Sequence, residues 1–396
     1  MQSSIIVPDV LPAPPEVESP APPEVVIREA RRRQRRRWFL VTAVVVVIVV
    51  AAVVTWSVVT GERAHPPASG PPPRHLPTAA AQALPSTPPE RPQALAVGPT
   101  GALYVADGLR DQILERHPDG RFTVVAGNGT IGFSGDGGPA IGAEIDRPGG
   151  MVVAPDGTLY FADMGNGRVR AVSPAGTITT VAGDGQIGRV ADGTPAGVAS
   201  LNPSAVTIGP GGTLYVASDP QILRLGTSGT FTCVVGCTNG PYDGLIGVGG
   251  PAVDGSADGP TGLAFDKAGD LFFFGFNTKT MFMVDPEGVL HVIGSAYPRF
   301  PGGLVTAPDG TVIAMDELGI LRLSPGGLET VLRFPGGYRV KATFHGVSAF
   351  SPDGIAIASD GSIYVDTFGD GFSNRSAIAV IRPDGTSSLL WNGPVR

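Results

Sequence analysis

Between residues 148 and 183 the chain alternates four times between a short apolar run and a cluster of turn residues, PGGMVVAPDGTLYFADMGNGRVRAVSPAGTITTVAG. The pattern predicts strands over 151–154, 159–162, 168–172 and 178–182, each rich in the β-branched and aromatic residues that suit a pleated surface. Pro155-Asp156-Gly157, Asp163-Met164-Gly165-Asn166-Gly167 and Ser173-Pro174-Ala175-Gly176 separate them. Proline presets φ at the front of such a turn, and glycine supplies the left-handed residue at its end.

The same grammar recurs along the chain. The second-strand marks are Leu103-Tyr104, Leu159-Tyr160, Leu214-Tyr215, Leu271-Phe272, Val312-Ile313 and Ile363-Tyr364, at spacings of 56, 55, 57, 41 and 51 residues. A unit that recurs at such spacings marks a repeat architecture. A lone four-stranded sheet cannot bury both faces, but six arranged around an axis can, and closure leaves few free edges. The expected fold is therefore all-β: a six-bladed β-propeller of four-stranded antiparallel blades over 93–396.

A second, less regular repeat links the units. GFSGDGGPAIGAEIDRPGG at 132–150 aligns without a gap with 188–206 and 244–262, at offsets of 56 and 112. Ala143, Ile145, Ala199 and Leu201 read as plugs that seat each stretch on the next blade. Asp136 and Asp192 read as acceptors for backbone amides of the glycine-rich turn itself. Because blade strands alternate in direction, these stretches and the loops between second and third strands share one face. The tight PDG-type turns lie on the other.

Ahead of the repeats, residues 38–60 hold no charge. At about 1.5 Å per residue this run spans a hydrocarbon core of about 30 Å, so it is read as one transmembrane helix. REARRRQRRR at 28–37 precedes it, and only Glu62 and Arg63 follow closely. The positive-inside rule then keeps the N-terminus cytoplasmic and carries the C-terminal part across. A cleaved signal peptide, with its shorter apolar region, is the competing reading. Residues 1–37 are expected to be a disordered cytoplasmic tail, Pro/Glu-rich and then Arg-rich. Residues 61–92, with ten prolines, are expected to form an extended extracytoplasmic linker. The expected location is the cell membrane, single-pass.

Charge adds one exclusion. The first 37 residues carry +2, and with −7 for the whole chain the remainder carries −9 and contains only three lysines. That is no electrostatic footprint for nucleic acid.

GTLYFADMGNGRVRAV and GALYVADGLRDQILERHPDG resemble NHL repeats. GFSGDGGPAIGAEIDRPGG is similar to the inter-blade loops of bacterial NHL proteins and of the teneurin NHL domain. The resemblance covers about 93–294. MDELGILRL lacks the Asp-x-Gly-Asn-x-Arg pattern, and DTFGDGFSNRSAIAV carries an insertion. The layout resembles extracytoplasmic NHL sensor domains of membrane-tethered receptor kinases. A recurrent loop-rich face held away from a charge-marked anchor, with no catalytic constellation, points to a binding or sensing module for an envelope glycan, an extracytoplasmic protein or a small molecule. Two alternatives stand beside it: a metal-dependent propeller hydrolase or lyase, as some propeller relatives are, and a structural scaffold in a membrane complex.

Candidate ligand-binding residues on the loop-rich face are Asp136, Asp163, Asn166, Arg168, Asp192 and His345. For Asp163, Asn166 and Arg168 the competing role is turn stabilisation, which the resemblance also implies. No catalytic residue, metal site or cofactor is assigned. Ca²⁺ at Asp136 would need six or more oxygens where the loop offers one carboxylate. His117, His291 and His345 sit in separate units and do not converge as zinc would require. Asp107, Asp163, Asp219, Asp316 and Asp366 end second strands, which leaves a carboxylate ring around the axis open. Cys233 and Cys237, in CVVGC, would stand about 13 Å apart in an extended strand at ~3.3 Å per residue, too far to bridge. Gly236 permits the bend that would close a disulfide; free thiols and metal ligation are the alternatives.

Overall fold

The computed structural model describes residues 85–86, 88–238, 247–257, 259–295, 303–316, 319–333, 343–344, 347–348, 354–367 and 375–394. The tail at 1–37, the apolar segment at 38–60, most of the linker at 61–92, and His345 lie outside these residues. Among the described residues no helix is long and apolar enough to cross a membrane.

The described strands form six antiparallel blades of four strands each, spanning 92–126, 148–182, 203–235, 260–295, 304–333 and 355–394, with a short fifth strand, Pro85–Ser86, added to the first and a separate two-stranded pair, Thr343–Phe344 with Val347–Ser348. Every blade runs in sequence order from its first strand to its fourth. The first strands neighbour one another around the axis, and that of the last blade meets that of the first. All six second-strand marks fall inside second strands, from Leu103–Asp107 to Ile363–Thr367.

Each blade carries a bulge where its third strand pairs with its fourth, from Ile113/Leu114 in blade one to Ile378/Ala379 in blade six. A bulge increases local twist, so every sheet is bent at the same place. Blades five and six share this feature although their loop sequences differ from the rest.

Six clusters of buried side chains fill the six seams. Ile113 and Ala126 of blade one pack on Phe161 and Ile178 of blade two, with Ala143 and Ile145 of the connecting loop between them. Ala199 and Leu201 plug the next seam beside Phe231. Leu95, Leu103 and Phe122 of blade one pack on Ala356, Ile378 and Trp391 of blade six and close the ring.

The glycine-rich stretches do more than connect. Pro139, Pro195 and Pro251 each form an antiparallel bridge to the residue before the fourth strand of the next blade, Thr177, Thr230 and Val289. Each stretch thus covers an outer sheet edge that would otherwise present unpaired amides. In blade one that position is taken by Pro85–Ser86, paired with Thr123 and Phe122. The first blade therefore includes residues of the proline-rich segment read as a linker, and those prolines sit at an edge where a missing N–H is tolerated.

On the opposite face the turn aspartates Asp119, Asp156 and Asp360 are held below the ordinary value of 3.8 chiefly by a backbone amide two residues on. For Asp309 and Asp384 the hydroxyl of Thr311 or Thr386 contributes most, with the same residue's amide. An acid with a depressed folded value stabilises the fold above 3.8 and loses that contribution as pH falls through the lowered value. The thermal midpoint is expected to drop as pH is taken below 3.8, and alanine at these five positions should flatten the drop.

Candidate functional site

The first glycine-rich loop folds over the second-to-third-strand loop of blade two, and four of the singled-out residues meet there. Asp163 ends the second strand and is fully buried. Its Oδ1 accepts from the Asp146 amide at 2.8 Å and from Asn166 Nδ2 at 2.9 Å. Asn166 Nδ2 also reaches the Gly132 carbonyl at 2.7 Å, which ties the inter-blade loop to the blade loop.

Arg170, also fully buried, completes the latch. Its Nη1 is 3.3 Å from Asp163 Oδ2. Its Nη2 donates to Asp136 Oδ1 at 2.9 Å and to the Ser134 carbonyl at 3.0 Å. The guanidinium carbons of Arg168 and Arg170 lie 3.8 and 4.8 Å from the centre of the Phe133 ring, a cation–π arrangement. Arg168 is further fixed by the carbonyls of Asn166 and Asp184, at 2.7 and 2.8 Å. Burial pushes the Asp163 carboxyl above its usual range, against the lowering effect of the Asp146 amide, Asn166 and Arg170.

Asp136 and Asp192 thus differ from the sequence expectation. Neither bonds an amide of its own glycine-rich turn; each reaches the adjoining blade. Asp192 accepts from the Cys233 amide at 2.6 Å in the fourth strand of blade three. Leu223 and Gln221 stand in blade three where blade two has Arg170 and Arg168. Gln221 holds the second loop with a neutral fork: Nε2 donates to the Val190 carbonyl at 3.1 Å and Oε1 accepts the Val190 amide at 2.7 Å. One loop is latched by charge and the next by an amide.

Cys233 and Cys237 are joined in a disulfide, with Cα atoms 5.6 Å apart. Gly236, at φ 74°, makes the bend. Alanine at both positions is expected to lower stability by about 2 kcal/mol, the loop-entropy value for so short a ring. Denatured without reductant, the intact chain should then show no free thiol.

Among the carboxylates that end second strands, Asp107, Asp163 and Asp366 do not line the axial channel. All three are fully buried and accept from backbone amides leading into the first strand of their own blade: Glu90 and Arg91, Asp146, and Gly354. In blade three Ser218 does this for Asn202 at 2.9 Å. The channel holds two cavities of about 240 and 250 Å³. Their described lining is glycine, alanine and aliphatic residues with Gln93, Ser204, Thr207, Thr261 and Thr306, and no acid or histidine. His117 bonds Thr123 Oγ1 at 2.8 Å and His291 bonds Asp285 at 2.7 Å, in different blades. Among the described residues no three of His, Cys, Asp and Glu gather as a metal site.

Exposed large hydrophobic side chains are concentrated instead on the loops. Among the described residues Leu109, Ile131, Phe133, Ile187, Val198, Val248, Val253 and Phe276 lie in inter-blade or second-to-third-strand loops, and Val292 lies in a strand. Ile131 and Ile187 stand 56 residues apart in equivalent positions and are 69% and 72% exposed. The sequence reading passed over both, although their alignment in the repeat was available.

Residues 36–173 match the family described as Teneurin NHL domain. Teneurin-1 of Mus musculus is 35% identical over 97 residues, which is 21% of this chain and 4% of that protein. Teneurin-1 of Gallus gallus is 58% identical over 41 residues, 10% of this chain and 2% of that protein. The chain thus spans a small fraction of the length of these curated relatives. A solved structure described as a streptogramin B lyase superposes with a TM-score of 0.50 at 15% identity, covering 77% of this chain and 84% of that one. At that identity the likeness concerns the fold alone. The matched segment runs through the first blade into the third strand of the second; over that stretch the chain is similar to the Teneurin NHL domain, and the fold repeats the same four-stranded unit six times.

Proposed function

We propose that this chain is a membrane-anchored propeller that holds a binding or sensing surface outside the cell, for an envelope glycan, protein or small molecule. The observation that carries the reading is the concentration of exposed apolar side chains on loops that are themselves rigidly latched. Exposed apolar groups on a fixed scaffold mark interaction surfaces, because leaving them in water is otherwise unfavourable. The uncharged run at 38–60 and its arginine-rich flank support the anchoring and its direction.

The test combines topology and capture. Protease added to intact cells that produce the full chain should remove the propeller and spare the N-terminal tail. The detergent-solubilised full chain should retain envelope material that an Ile131→Ser/Ile187→Ser variant of unchanged thermal midpoint releases. A protected propeller would overturn the topology. Equal retention by the variant would overturn the surface. A stoichiometric, chelator-sensitive Ca²⁺ or Zn²⁺ in the purified protein would favour the hydrolase or lyase reading instead.

A further inference from the structure

Blade three also departs from its neighbours in the connection between its second and third strands. Four residues separate the second and third strands in blades one, two and four, at 108–111, 164–167 and 276–279, but only Asp219 and Pro220 do so in blade three. In blade two the longer loop fills its surroundings: Gly165 packs against Asp146, and Asn166 bonds Asp163 and Gly132. Beside this short turn lies a depression of about 440 Å³. It is lined by Ile187, Gly188 and Arg189 of the second glycine-rich loop, by Asn202, Asp219 and Pro220, and by Gly259 and Asn277.

We infer that this notch is a carbohydrate-binding site sized for a mono- or disaccharide. The inference rests on the reading of the loops as a binding surface and names a ligand class for it. Its volume falls in the range of ligand pockets, about 300–1,000 Å³. All four polar residues of the wall, Arg189, Asn202, Asp219 and Asn277, carry planar two-headed groups. The arginine only donates, the carboxylate only accepts, and the amides do both. A sugar hydroxyl donates and accepts at once, so neighbouring hydroxyls can be matched by this set. A simple anion would meet Asp219 and a simple cation would meet Arg189, so the mixed wall works against both.

The apolar complement is present as well. Ile187 is 72% exposed, and Phe276, 46% exposed, adjoins Asn277. An exposed ring or branched chain beside a polar pocket offers a surface for the C–H face of a sugar.

The walls are preorganised. Arg189 Nη1 donates to the Gly236 carbonyl at 2.8 Å, inside the ring closed by Cys233–Cys237. The Asp219 amide donates to the Asn202 carbonyl at 3.1 Å, and the Asn202 amide to Ser218 Oγ at 2.9 Å. Groups held before binding lose less freedom on binding.

The experiment is saturation-transfer NMR on the full chain in nanodiscs with a panel of neutral hexoses, pentoses, N-acetylhexosamines and their disaccharides. Glycine and alanine dipeptides serve as the zwitterionic comparison. At least one saccharide should receive transfer. Asp219→Asn and Asn202→Ala should each reduce it fivefold or more with no change in thermal midpoint. A variant with Asp219-Pro220 replaced by the four-residue loop of blade two should abolish it, and Ile187→Ser provides a surface change that leaves the turn intact should the graft not fold. No transfer to any saccharide, transfer insensitive to these variants, or transfer confined to the dipeptides would overturn the assignment. Envelope capture without saccharide binding would leave the proposed function standing and remove this site. Residue-dependent sugar binding by a propeller that protease cannot reach would do the reverse.

Discussion

Arg170→Met is expected to lower the thermal midpoint by about 10 °C. The guanidinium and the Asp163 carboxylate are both fully buried. Removing one member of such a pair leaves an uncompensated buried charge, which costs about 3–5 kcal/mol, and each kcal/mol moves the midpoint of a domain of this size by roughly 2–4 °C. The variant also loses the bond to Asp136 and the packing on Phe133, so the first inter-blade loop should become protease-sensitive. Its pH dependence distinguishes charge from packing. Asp163 already has a raised folded value, and without Arg170 it rises further. A raised acid favours the fold below its unfolded value and loses that contribution as pH rises through the folded value. The deficit of the variant relative to wild type should therefore shrink on going from pH 7.5 to pH 5. Adding Asp163→Asn should recover much of it at pH 7.5. A deficit that is equal at both pH values would show that lost packing, rather than stranded charge, is responsible.

Gly183→Ala is expected to be comparably severe. Gly183 follows the fourth strand of blade two with φ 102°, and a Cβ there would collide with the Gly167 carbonyl oxygen. The left-handed region alone costs a non-glycine residue roughly 1–2 kcal/mol, and a clash with backbone cannot be relieved by turning a side chain. Gly176, at φ 80° with open space around it, is the control. Gly176→Ala should show only the conformational cost. The difference between the two urea midpoints then reports the close approach. Equal effects would mean that the connection after the fourth strand yields easily.

Much of the wheel was legible because its strands obey local rules. The expected spans at 168–172 and 178–182 coincide with Arg168–Val172 and Ile178–Ala182, where apolar runs are bounded by glycine and proline. Ala143, Ile145, Ala199 and Leu201 are all fully buried, as their small or apolar character indicated. The latch was harder to see. Arg168 was singled out and Arg170 was not, since an arginine in a strand is ordinarily read as facing water. Its burial depends on a bulge at Val169/Arg170 and on an aspartate 34 residues away, neither of which has a local signature.

One available signal concerned blades five and six. Pro-x-Gly/Ala-apolar recurs at 92–95, 148–151, 203–206, 260–263, 301–304 and 352–355, with the same spacings as the second-strand marks. The small residue is dictated by crowding at the axis: a Cβ on Gly150 would strike Ala205, and one on Gly354 would strike Ala94. The notch beside blade three was not visible because a missing pair of residues has meaning only against the neighbouring blades in space.

Among the described residues every blade is cut from one unbroken stretch of chain, and no strand is borrowed from the far terminus to clasp the ring. Among the described residues the last spoke meets the first through packed side chains such as Ile378 and Leu95. A gene for such a wheel can be reordered, with the first spoke's coding segment moved behind the last, and still specify the same rotor with its ends elsewhere. Duplication or loss of a whole spoke likewise leaves the others covalently intact, so their number can drift over evolutionary time while the rim loops diversify independently.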